Sequence, residues 1–222
     1  MNDRRAGWWR LPLLTGLLMV LTLVVHLVYV AWPWPEAPRG TAPLQAAVAA
    51  EWSTVSDLAE GHAVEVIGSV ASGTYQVLFV WTGLDYLVRR AADPTPMEGA
   101  NEAGRRFVLG TWIFFETAYY SVQLLGLRLG VLAVSLPLFA VAGLGGFLDG
   151  LIGWYLRRTG GGRESGFIYH RAKFALWGAV FLLWACYLVP PVALDPRWLI
   201  PPFVVLFGLG VRVATAWFKK YL

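Results

Sequence analysis

Residues 11–32 read LPLLTGLLMVLTLVVHLVYVAW, a stretch with no Asp, Glu, Lys or Arg. As a helix rising 1.5 Å per residue it is roughly 33 Å long, enough to cross a hydrocarbon core of about 30 Å. Two more charge-free runs, Leu129 to Leu148 and Phe174 to Leu194, are also long enough to span. Trp198 to Phe218 makes a fourth, broken only by Arg212 near the Lys219-Lys220 end, where a long side chain can snorkel to the headgroups. Inside a bilayer a spanning segment must satisfy its own backbone, which for runs of this length means helix. The expected fold class is therefore all-α: a polytopic helical membrane protein with four transmembrane helices and a mostly helical extracytoplasmic region between the first and second spans.

Composition agrees. Of the 222 residues, 57% are hydrophobic and 14% charged, against about 25% charged in ordinary soluble domains. The net charge of +4 is not gathered into a tract that would grip nucleic acid, and no direct nucleic-acid site is identified. The basic residues sit beside the apolar runs, where the bilayer accounts for them. Between Pro33 and Arg106 acidic residues outnumber basic ones. Between Asp149 and Lys173 the balance reverses, with Arg157, Arg158, Arg163, Arg171 and Lys173 against Asp149 and Glu164. Positive charge marks the cytoplasmic side.

That rule assigns residues 1–10 to a cytoplasmic tail, 11–32 to the first span and 33–128 to the extracytoplasmic helical or interfacial region. Residues 129–148 form the second span, 149–173 a basic cytoplasmic loop, 174–194 the third span, 198–218 the fourth and 219–222 a cytoplasmic C-terminus. The expected location is a bacterial inner membrane, crossed several times with both termini in the cytoplasm. The first run exceeds a signal-peptide core and is followed by Trp32-Pro33-Trp34-Pro35 rather than a small-residue cleavage site, so it reads as an uncleaved anchor. Six spans are the alternative, because Val66 to Leu84 is charge-free and Phe107 to Leu127 is interrupted only by Glu116. The Ser, Thr and Gly content of the former, and the tight hairpin the latter would need at Arg128, favour four, with these pieces as interfacial or packed helices and a long helical approach to the second span.

Chemistry-bearing patterns are sparse. His26, His62 and His170 fall in different regions, and there is no zinc-protease, Walker A or nucleophile-elbow motif. No catalytic, cofactor-binding or metal residues are assigned, no cofactor is expected, and the chain is expected not to be an enzyme. His26 reads as a polar residue packed against another helix, and Asp149 as a partner for a cytoplasmic-side arginine. Gly126 and Gly130, then Gly146 and Gly150, repeat a four-residue spacing that permits close helix packing, within the chain or in a homo-oligomer.

Gly146-Phe147-Leu148-Asp149-Gly150, the stretch from Gly162-Arg163-Glu164-Ser165 to His170-Arg171-Ala172-Lys173, and the ending Phe218-Lys219-Lys220-Tyr221-Leu222 carry a further signal. In these the chain resembles the integrating conjugative element membrane protein family, most clearly over 126–222. The resemblance implies bacterial conjugation, membrane partners such as the coupling ATPase of a type IV secretion system, and no established catalytic residues. Arg163, Glu164, Tyr169, His170, Arg171 and Lys173 become candidate partner contacts, in addition to the lipid bilayer itself. Two function classes compete: a non-enzymatic component of the conjugative apparatus that organises or stabilises a coupling protein or transfer channel, and a small independent transporter or pore using His26, Asp149 and Arg212 as its polar path.

Overall fold

The computed structural model describes residues 10–33, 39–58, 60–93, 100–160 and 166–218. Among them the chain is helical, with no strand. The helices are α1 (Arg10–Ala31), α2 (Ala42–Leu58), α3 (His62–Tyr75), α4 (Leu84–Ala92), α5 (Ala100–Gly110), α6 (Trp112–Thr159), α7 (Gly166–Leu188) and α8 (Pro196–Ala216). A π-helical turn, Gln76–Val80, continues α3. The all-α polytopic expectation holds.

Four helical stretches are long and apolar enough to cross a membrane: His62–Val80, Trp112–Thr159, Phe167–Leu188 and Pro196–Ala216. The first of these was expected among the interfacial or packed helices. In α1 the described apolar portion, Gly16–Ala31, is shorter. The 48 residues of α6 extend roughly 72 Å, more than twice a hydrocarbon core, so much of it must lie beyond the bilayer. Its apolar run stops at Arg128, but the helix does not.

The chain divides into two compact units, one of Met1–Val131 with Leu188–Ala193 and the other of Leu132–Tyr187 with Leu194–Leu222. The first has a packed interior. Leu44, Ala47, Glu51 and Val55 form the buried face of α2 at helical spacing, joined by Val30, Ile67, Phe79 and Leu124. Tyr75, Phe79 and Tyr119 stack and cross edge-on at 5.3–5.9 Å between ring centroids. Entry into α4 depends on Gly83, whose φ of 81° is open to glycine at little cost.

In the second unit Leu183, Tyr187 and Ile200 are buried, while Leu136, Leu138, Val141, Leu144 and Phe174 are exposed along the helices, as expected where lipid supplies the apolar surroundings. Asp195 starts α8 by accepting a hydrogen bond from the Arg197 amide at 2.9 Å, with Pro196 at the first helical position.

Candidate functional site

The most completely built polar site lies in the first unit and centres on Arg128, which is fully buried about a third of the way along α6. Its Nε donates to both carboxylate oxygens of Glu51, at 3.0 and 3.1 Å, and Nη2 donates to Glu51 Oε1 at 2.6 Å. Nη1 donates to the Leu188 and Pro190 carbonyls at 3.3 and 2.7 Å, and Nη2 reaches the Val192 carbonyl at 2.6 Å. These acceptors can occupy all five guanidinium N–H groups. The turn they stabilise contains Pro190 and Pro191, which have no amide hydrogen to offer, so the arginine supplies donors that this backbone lacks. One side chain thereby ties α2, α6 and the segment after α7.

Nearby in the same unit, His26 of α1 is buried with its Nδ1 2.8 Å from Ser121 Oγ of α6. Ser121 Oγ also bonds the Thr117 carbonyl at 2.6 Å, and which partner donates in the His26–Ser121 bond follows the imidazole tautomer. Its Nε2 makes no hydrogen bond. The His26 contact is an interhelical one, and it has the form expected for a packed polar residue.

On α4, Asp85 accepts from Arg89 Nε at 2.7 Å and from the Tyr75 hydroxyl at 2.9 Å. Those bonds, the arginine's first, hold its carboxyl below the ordinary carboxylate range.

The second unit carries most of the residues picked out by the sequence. Asp149 of α6 pairs with Arg212 Nε of α8, both side chains about half exposed. The glycine spacings correspond to close helix approaches. A Cβ on Gly126 would stand 3.0 Å from Ala71 Cα, and one on Gly130 would stand 2.8 Å from Ile67 Cα, so in the first unit this face of α6 meets α3. In the second unit a Cβ on Gly146 would collide with the Gly208 carbonyl oxygen, and one on Gly150 would lie 2.7 Å from the Arg212 carbonyl oxygen. All four therefore sit at contacts within the chain.

Of the candidate partner contacts, Arg163 and Glu164 lie outside the described residues. Tyr169 packs its ring on Phe218 at 5.7 Å and on His170 at 5.5 Å, and Arg171 stacks over Phe167 at 4.4 Å. His170, Arg171 and Lys173 are exposed. The polar path imagined for a transporter is divided, with His26 in the first unit and Asp149 and Arg212 in the second. Among the described residues no group of three or more His, Cys, Asp or Glu side chains is placed to hold a metal, and Cys186 is an exposed free thiol.

Glu51 and Arg128 were not singled out from sequence, where Glu51 counted only toward an acidic excess and Arg128 only as a break between apolar runs. The available signal was Arg128 itself, a lone cation between long apolar stretches, which requires a partner.

Residues 34–219 match a family profile described as IncC plasmid conjugative DNA transfer protein DtrJ-like. The chain belongs to the DtrJ-like family. The match agrees with the sequence resemblance in placing it among conjugative DNA transfer proteins, and it covers both structural units. No curated protein and no solved structure matches the chain.

Proposed function

We propose that this DtrJ-like protein is a non-enzymatic inner-membrane component of a conjugative, type IV secretion-like DNA-transfer apparatus. In this reading it organises or stabilises the coupling ATPase or the transfer channel, with both termini and the basic 149–173 segment in the cytoplasm. The observation that carries the reading is the family match over 34–219. Support comes from the long apolar helices and from polar side chains that mostly serve contacts within the chain. Glu51 and Arg128 hold helices and a turn together, His26 is bonded to Ser121, and Asp149 is paired with Arg212. The partner-facing surface is then the basic segment from Arg163 to Lys173, in which His170, Arg171 and Lys173 are exposed and cations stand beside aromatic anchors. Tyr169 supports this surface from beneath through Phe218, while His170 and Lys173 face outward.

The test is purification of the full chain in mild detergent from cells carrying the transfer system, with a His170→Ala/Lys173→Gln variant alongside. The expected result is co-purification of the coupling ATPase or a channel component with wild type. The variant should insert normally, lose that partner and transfer DNA about tenfold less often, the scale of one or two lost interface contacts. Unchanged partners and transfer in the variant would overturn the contact assignment. A lone oligomer that conducts ions after reconstitution would overturn the organising role in favour of a transporter.

A further inference from the structure

Within the second unit, where α6 ends, α7 begins and α8 ends, lies an open groove of about 460 Å³ lined by Phe147, Leu151, Trp154, Tyr169, Ala214, Thr215 and Phe218. That volume falls within the range of about 300–1,000 Å³ typical of small-molecule sites. The lining is mostly aromatic and aliphatic, with few polar atoms.

Two arginines stand beside its aromatic wall. Arg158 lies over the Trp154 ring at 5.2 Å, and Arg157 lies over Trp217, the neighbour of Phe218, at 4.2 Å. These stacks hold guanidinium groups at the groove by cation–π attraction. The described carboxylates of this unit, Asp149 and Asp195, are engaged by Arg212 and Arg197. Among the described residues Arg157, Arg158, Arg171 and Lys173 make no ion pair, so positive charge is in local excess.

An occupant must therefore be apolar along its length and anionic at one end. A peptide would bring amide groups that this lining cannot satisfy. Free phosphate would use the arginines and leave the aromatic trench unfilled. A phospholipid meets both demands, since its acyl chain carries no hydrogen-bonding group and its phosphate matches guanidinium geometry.

We propose that this groove binds an anionic phospholipid, with an acyl chain along Phe147, Leu151, Trp154 and Phe218 and the headgroup phosphate held by Arg157 and Arg158. The site adjoins the partner contact described above, sharing Tyr169 and Phe218 with its support, but its test reads lipid retention rather than DNA transfer, so the two can fail independently.

The experiment is native mass spectrometry of the full chain in mild detergent, titrated with phosphatidylglycerol or phosphatidylcholine. Wild type should retain phosphatidylglycerol about tenfold more tightly than phosphatidylcholine, and the Arg157→Gln/Arg158→Gln variant should lose most of that preference. Ala214→Phe changes no charge but fills the groove, and it should weaken phosphatidylglycerol binding by about tenfold. If that variant is not monodisperse, Phe147→Ala, which removes a half-exposed wall, takes its place and should weaken binding in the same direction. Equal retention of the two lipids would overturn the proposal. So would wild-type phosphatidylglycerol binding in the groove variant, or displacement of the lipid by inorganic phosphate, since either would reduce the site to loose surface charge.

Discussion

Arg128 and Arg212 both sit on long apolar helices and both meet a carboxylate, yet their surroundings separate them. Arg128 and Glu51 are 0% and 3% exposed, whereas Arg212 and Asp149 are 54% and 53% exposed. Taking two ions out of water costs several kcal/mol each, and their attraction offsets this only when the remaining hydrogen-bonding capacity is used. Around Arg128 it is used, by three backbone carbonyls in addition to the carboxylate. Arg212 can keep its head among lipid headgroups or water, so its pair is weak and adjustable. A charge inside an apolar run thus has no fixed meaning. What the neighbouring chain can supply to it decides whether it is a structural tie or a surface anchor.

The contrast breaks most visibly at Arg128. Arg128→Met leaves a buried carboxylate and three carbonyls without their donors, and it should cost about 3–5 kcal/mol. Denaturant titration of the purified full chain, followed by circular dichroism, measures this. Arg128→Lys keeps the charge but has too few donors and the wrong geometry for the same acceptors, so it should rescue only part of the loss. If Arg128→Met unfolds at the wild-type midpoint, the distinction between the two pairs collapses.

A second substitution pair sharpens the view of the other unit, where close helix approach replaces a buried ion pair as the defining contact. Gly146→Leu should destabilise by about 1–3 kcal/mol, because its side chain must displace the α8 backbone. Gly145→Leu, one position along, meets nothing within 4 Å and should unfold at or slightly above wild type. Equal effects at the two positions would remove the α6–α8 approach as a determinant.

The smallest effect belongs to Arg212→Gln, expected at under about 1 kcal/mol in the same titration and weakened further by salt. A loss as large as that of Arg128→Met would mean that the Arg212–Asp149 pair is buried in the protein's working state.

The helical fold was legible because span length and the absence of charge are local properties: Leu129 to Leu148 announces itself within a single window, as does the run from Phe174, although the helix there stops at Leu188 and the expected span to Leu194 gives way to the proline turn. The status of His62–Val80 was harder to read. Its Ser, Thr and Gly residues lower its apolarity, yet Ser69, Ser72 and Thr74 return hydrogen bonds to their own helix backbone, which reduces the cost of an apolar environment. The Glu51–Arg128 pair was out of reach because its members are 77 residues apart and no spacing rule connects an alanine-rich helix to the middle of a distant one. The Gly146–Gly150 spacing marked a small face, while the neighbour filling it, α8, depends on tertiary packing alone.

The proline turn after α7 also has a consequence for the order in which the molecule can be finished. Translation delivers Glu51 first, Arg128 next and residues 188–192 last, so the carboxylate is available to the arginine well before the three carbonyls exist. A chain truncated before Leu188 would carry the cation with its carboxylate but with donors left over in an apolar interior. Completion of the turn therefore gives the buried arginine its last acceptors only once the chain has been made past Val192.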